Sequence, residues 1–155
     1  MLKTIATVSF LSLVVATTAN ANPSAKTQTP AQQALAESEA ALGFVPQFLH
    51  NIPEPLLAGF WDEVKSLEMN PNTALDGKTK ELIGLAVASQ IPCDYCIYFH
   101  TRAAKANGAT DAQISEAVGM AALTREGSTI MHGTQTDLVQ YKRDVDRIFS
   151  KGNHK

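Results

Sequence analysis

The stretch KTKELIGLAVASQIPCDYCIYFHTRAAKANGATDAQISEAV, Lys78 to Val118, decides the fold. Between Lys78 and Ser89, the residues Leu82, Ile83, Leu85, Ala86 and Val87 leave few polar positions, which predicts a buried helix. Pro92 suits the first turn of a second helix, which carries Cys93, Cys96 and His100 and stops at Gly108. Thr110 with Gln113 forms a capping box that opens a third helix, from Asp111 to about Thr124. No period-two alternation of apolar and polar residues interrupts the three, so the expectation is an all-α fold.

The flanks extend this pattern. Ala31 to Leu42 is rich in alanine, glutamate and leucine, and Gly43 can end that helix in a left-handed conformation. Pro46, Pro53 and Pro55 bracket a compact connector with Phe48, Leu49 and Ile52. A helix then runs from Glu54 to Glu68 with Leu56, Leu57, Phe60, Trp61, Val64 and Leu67 on one broad face. The tail from Ser128 to Ser150 is helical in composition, with a break at Gly133. About six helices are expected, with no internal repeat.

The N-terminus has a different character. MLKTIATVSFLSLVVATTANANPS places Lys3 before an apolar run from Ile5 to Ala16, followed by Ala19-Asn20-Ala21. The run is shorter than the roughly 20 residues a membrane span needs, and the small residues suit signal-peptidase cleavage. Residues 1–21 are therefore expected to be a signal peptide, residues 22–30 a polar, disordered lead-in, and residues 31–155 one domain. The mature protein is expected in the periplasm or secreted. With 45% hydrophobic residues, 18% charged and a formal net charge of −2, the chain is globular in character and lacks the basic excess of a nucleic-acid binder.

Export changes the meaning of the two cysteines. Small secreted domains use disulfides as staples, but Cys93 and Cys96 would close only a very small loop, which adds little chain-entropy stabilisation. Chemistry is the better reason for the pair. On a helix Cys96, Phe99, His100 and Ala103 form one stripe, with Cys93 one turn before Cys96. Near a helix start, free backbone N–H groups and the positive end of the dipole favour a thiolate, although Asp94 opposes this. A thiolate attacks peroxides and disulfides, and a histidine one turn on can exchange the proton. Glu81 lies twelve residues before Cys93. If its helix packs antiparallel on the cysteine helix, its carboxylate can orient His100; otherwise it is an exposed charge at a helix start.

The residues Glu81, Cys93-Asp94-Tyr95-Cys96 and His100 resemble the E-x11-C-x2-C-x3-H signature of the AhpD-like alkylhydroperoxidases, within the carboxymuconolactone decarboxylase superfamily. The segment LGFVPQFLHNIPEPLLAGFWDEVKSL is similar to the family's N-terminal helix pair, and Lys78 to Val118 to its core, covering roughly residues 41 to 118. The resemblance implies an AhpD-like helical bundle that assembles as a homo-oligomer, a trimer or hexamer. It also implies a peroxide or disulfide substrate, with no cofactor or metal. Carried over by position, Cys96 attacks the peroxide, Cys93 resolves, and Glu81 and His100 relay protons. The best-studied peroxidases of the family have a histidine before the second cysteine, where this chain has Tyr95. Cytosolic members draw electrons from protein partners, so export implies an exported thiol reductant.

Other readings of the same residues are a zinc site on Cys93, Cys96 and His100, an inert disulfide, a lactone decarboxylase, and a helical binding protein without catalysis. No second well-spaced ligand pair supports zinc. His50, His132 and His154 are isolated in sequence, Trp61 is assigned to packing, and Tyr95, Tyr98 and Phe99 to the core or a subunit interface.

Overall fold

The structure is a computed structural model that describes residues 27–150. The expected signal peptide, most of the lead-in, and His154 lie outside the described residues. Among those described, the chain forms six α-helices and no strand. Helix α1 is Pro30–Leu42, followed by a 3-10 turn at Gln47–Asn51. Helix α2 is Glu54–Glu63 and runs on into a π-helical turn, Val64–Glu68. Helices α3, α4, α5 and α6 are Gly77–Gln90, Asp94–Ala106, Asp111–Gly133 and Leu138–Ser150.

The ends of these helices follow from local chemistry. Thr29 opens α1 with a full capping box: its hydroxyl accepts from Gln32 N at 3.2 Å, and the Gln32 side chain accepts from Thr29 N at 2.9 Å. The expected lead-in therefore ends at a helix cap. Thr110 and Gln113 repeat the device at α5, as their spacing predicts. Asp76 caps α3 by accepting from Thr79 N at 2.7 Å. Gly43 ends α1 at φ 82°, and Gly108 follows α4 at the same φ. At α4 the Gly108 and Ala109 N–H groups donate to the carbonyls of Lys105 and Ala104, the paired bonds of a Schellman motif.

Helices α1 and α2 pack on each other and on the 3-10 turn around Ala31, Ala34, Leu49, Leu57 and Trp61. Helix α3 is the centre of the other half and packs on both α4 and α5. There Leu85 and Ala88 of α3, Ala104 of α4 and Ala121 of α5 are buried. The Gln90 side chain adds a bond from Nε2 to the Ala121 carbonyl at 2.7 Å. Full burial of a leucine such as Leu49 or Leu85 stabilises by about 1.5–3 kcal/mol.

Several expectations are corrected. The helix around Lys78 to Ser89 is covered on one face only, since Ile83 and Val87 are about half exposed; α4 and α5 do not enclose it. The broad face of α2 is likewise divided, with Leu57 and Trp61 buried and Leu56, Phe60 and Leu67 exposed. Tyr95, Tyr98 and Phe99 are not core residues of this chain: Tyr95 is 89% exposed and Tyr98 71%. Pro92 precedes α4, whose N-cap is Cys93. Helix α5 continues past Thr124 to Gly133, and the break falls at Thr134 to Asp137. The helix thus ends at Gly133, where the break was expected; the left-handed residue that follows is Gln135 at φ 53°, with the Thr136 N–H donating to the Met131 carbonyl at 3.0 Å.

Candidate active site

The connection from α3 to α4 is a tight one, and Cys93 closes both sides of it. Its N–H donates to the Ala88 carbonyl at 3.1 Å, which ends α3, while its Sγ accepts from Cys96 N at 3.3 Å, which begins α4. So short a link makes the two helices antiparallel neighbours and leaves both sulfurs at the N-terminus of α4. Cys93 and Cys96 form a disulfide with Cα atoms 5.3 Å apart. Both residues are partly exposed, so a small oxidant or a partner thiol can reach them.

Further down the same helix pair, His100 Nδ1 and Glu81 Oε2 are 2.7 Å apart. Glu81 is buried, with 5% of its surface exposed, and among the described residues is one of two buried polar residues. Burial of a carboxylate is costly unless it is paired, and the imidazole is its partner. The reading of Glu81 as an exposed charge at a helix start is thereby overturned. With Nδ1 held by the carboxylate, Nε2 is the nitrogen left for proton exchange. The His100 ring also meets the edge of the Phe99 ring, at a centroid distance of 5.3 Å and an angle of 83°.

Two residues of this site are missing from the sequence reading. The first is Gly84, one turn after Glu81 on α3. A β-carbon there would fall 2.5 Å from His100 Cε1 and 2.6 Å from Nδ1, so only glycine lets the imidazole lie against the α3 backbone. The available signal was a lone glycine inside an apolar helix. The second is Glu68, the last residue of the π-helical turn. Burial and then the charge of Glu81 push its carboxyl above the ordinary range, with the charges of His100 and Lys80 acting in the opposite sense. No spacing rule connects a residue of α2 to one of α3, so this contribution had no signature.

The remaining histidines stay apart from the site. His50 lies in the 3-10 turn and His132 in the last turn of α5, both exposed. Trp61 is buried in the packing of α1 and α2, as expected. Among the described residues, no group of three or more histidine, cysteine, aspartate or glutamate side chains is arranged to hold a metal ion.

The chain is similar to known proteins. The profile of the "Carboxymuconolactone decarboxylase family" matches residues 55–135. The crystal structure of the alkylhydroperoxidase AhpD core from Rhodospirillum rubrum superposes with a TM-score of 0.62 at 29% identity, over 70% of this chain and 82% of that one. "Uncharacterized protein 4 in cox locus" of Paracoccus denitrificans is 44% identical over 62 residues, which make up 40% of this chain and 56% of that protein. The match thus spans little more than half the length of that relative. The family profile runs from α2 to the end of α5 and takes in both cysteines, Glu81 and His100, and its match to more than half of the chain establishes that this protein belongs to the carboxymuconolactone decarboxylase family, with an AhpD-like fold.

Proposed function

We propose that this protein is an exported thiol-dependent oxidoreductase that reduces alkyl hydroperoxides through Cys93 and Cys96. The observation that carries the proposal is a disulfide at a helix N-terminus on the same helix pair as a buried Glu81–His100 pair. The name of the Rhodospirillum rubrum structure, an alkylhydroperoxidase core, favours the same reaction.

In the reduced protein, the Cys96 thiolate attacks the outer peroxide oxygen. The O–O bond breaks, Cys96 becomes a sulfenic acid and an alkoxide leaves, taking a proton from His100 Nε2. Cys93 then attacks the sulfenic sulfur, which forms the disulfide and releases water. An exported dithiol protein restores both thiols by disulfide exchange and is itself oxidised. Glu81 orients His100 throughout. A lactone decarboxylase would have no use for the dithiol.

Oligomerisation belongs to the same reading. Phe44, Leu56, Ile83, Val87, Ile91 and Tyr95 are exposed apolar side chains of a kind that monomers seldom leave in such number, which supports burial against further copies of the chain. The test of function is to reduce the protein and add an organic hydroperoxide in stoichiometric amount. Loss of two thiols with formation of one alcohol is expected. Retention of both thiols would sink the proposal, whereas turnover of a lactone acid would move the protein to the decarboxylase branch.

A further inference from the structure

We infer that α6 of one copy of this chain docks in the groove between α3 and α5 of another copy. The inference deepens the self-association proposed above, on which it rests, and does not depend on the peroxide chemistry.

Helix α6 carries an apolar face that its own chain does not cover. It is the most strongly amphipathic of the six helices. Leu138, Tyr141, Val145 and Ile148 recur at alternating steps of three and four residues, the seam of a helix that packs lengthwise on a partner. Yet no residue of α6 is buried. Among the described residues, the helix packings join α1 to α2 and join α3, α4 and α5 to one another, and α6 takes no part in them. A helix of 13 residues is marginal in water unless such a face is packed. The link to α5 is ordered at both ends, which keeps α6 from swinging back onto its own α5. There the Thr136 N–H donates to the Met131 carbonyl at 3.0 Å, and Asp137 Oδ1 accepts from Val139 N at 2.7 Å and from Gln140 N at 3.1 Å.

The acceptor is a mostly apolar groove of about 520 Å³, walled by Val87 and Ile91 on the α3 side and by Met120, Thr124, Arg125 and Ser128 of α5. Val87, Ile91 and Met120 are each more than half exposed. At a helical rise of about 1.5 Å per residue, the wall from Met120 to Ser128 is ~12 Å long and the seam from Leu138 to Ile148 ~15 Å, so one helix fills the groove. Charge matches as well. Among the described residues Arg125 has no ion pair, and neither has Asp144, which flanks the α6 seam and accepts from Gln140 Nε2 at 3.1 Å. Their pairing across the interface fixes the register of the docked helix. A lipid surface suits α6 less well, because Asp144 and Asp146 are interspersed with its basic residues Lys142, Arg143 and Arg147. Each chain offers one α6 and one such groove, so exchange in a closed ring leaves neither uncovered.

Light scattering on variants of the full chain tests the docking, with circular dichroism to confirm native helicity. Leu138→Glu with Ile148→Glu disables the donor helix, and Val87→Glu with Ile91→Glu disables the acceptor groove. Each double variant alone should be monomeric. Mixed, the two should form a one-to-one heterodimer through the intact α6 of one chain and the intact groove of the other. Arg125→Glu and Asp144→Arg should each weaken assembly by about fivefold, the effect of losing an exposed ion pair, and the two together should recover it. A donor variant of native helicity that keeps the wild-type mass, or a mixture that yields no heterodimer, would overturn the docking while self-association stands. A monomeric wild type would overturn both, and its binding to anionic vesicles would give α6 to a lipid surface.

Discussion

The imidazole of His100 lies against α3 at Gly84, where a β-carbon would sit 2.5 Å from its Cε1. This contact lets Nδ1 come within 2.7 Å of the buried Glu81 carboxylate. Gly84→Ala is therefore expected to displace the ring and break that bond. Peroxide-driven disulfide formation should fall to about the level of His100→Ala, roughly 10²-fold or more below wild type. The alanine would also gain about 1 kcal/mol in helix propensity, so global stability should change little while the rate collapses. A Gly84→Ala variant with wild-type rates would show that the ring can act from another position.

The two sulfurs should separate cleanly. Cys96 is on the His100 stripe of α4, whereas Cys93 is the N-cap and accepts from Cys96 N. Cys96→Ser is expected to abolish peroxide consumption. Cys93→Ser should still form a sulfenic acid at Cys96 and then stall, since no thiol resolves it. Dimedone labelling with mass mapping reads the result directly. Label on Cys93 in the Cys96→Ser variant, and none on Cys96 in the reverse case, would exchange the two roles.

Acid should loosen the start of α3. The Thr79 backbone N–H bond to Asp76 is the main cause that holds the Asp76 carboxyl below its ordinary value. A lowered folded-state value means that the contribution is present above the unfolded value and is lost as pH falls through the folded one. Asp76→Asn should keep a cap but remove this pH dependence. The check is thermal unfolding of both proteins from neutral pH down to the acid range, where the wild type alone should lose the cap's charge-dependent part.

Thr110→Ala removes the hydroxyl that accepts from Gln113 N at 3.1 Å, and with it half of a capping box. A loss of about 1 kcal/mol is expected in chemical denaturation. Since α5 packs on α3, the same variant should raise amide exchange in both helices.

Self-association is expected at micromolar concentration, because Ile83 and Val87 of α3 and Ile91, which follows it, are left exposed by α4 and α5. Light scattering should give the mass of a trimer or hexamer. Charged substitutions at Val87 and Ile91 should shift it towards the monomer. A wild-type monomer would remove the basis for oligomerisation.

Local information carried most of the helix pattern. The caps at Thr110 and Gly43 and the all-α class depend on residues within a few positions of each other, so they are legible in one dimension. The stripe joining Cys96 to His100 is equally local, because helical spacing alone puts them on one face. Helix boundaries were partly so: the break after Gly133 was legible, whereas the left-handed position two residues on, at Gln135, was not, since it is set by the bonds that close the turn at Thr136. The pairing of Glu81 with His100 needed more than spacing, because 19 residues separate them and only antiparallel packing of α3 on α4 brings them together. Gly84 and Glu68 were decided by tertiary structure alone. A glycine's role depends on what approaches it, and the protonation of a carboxyl depends on the burial and charges that neighbouring helices impose, neither of which is a property of the residue itself.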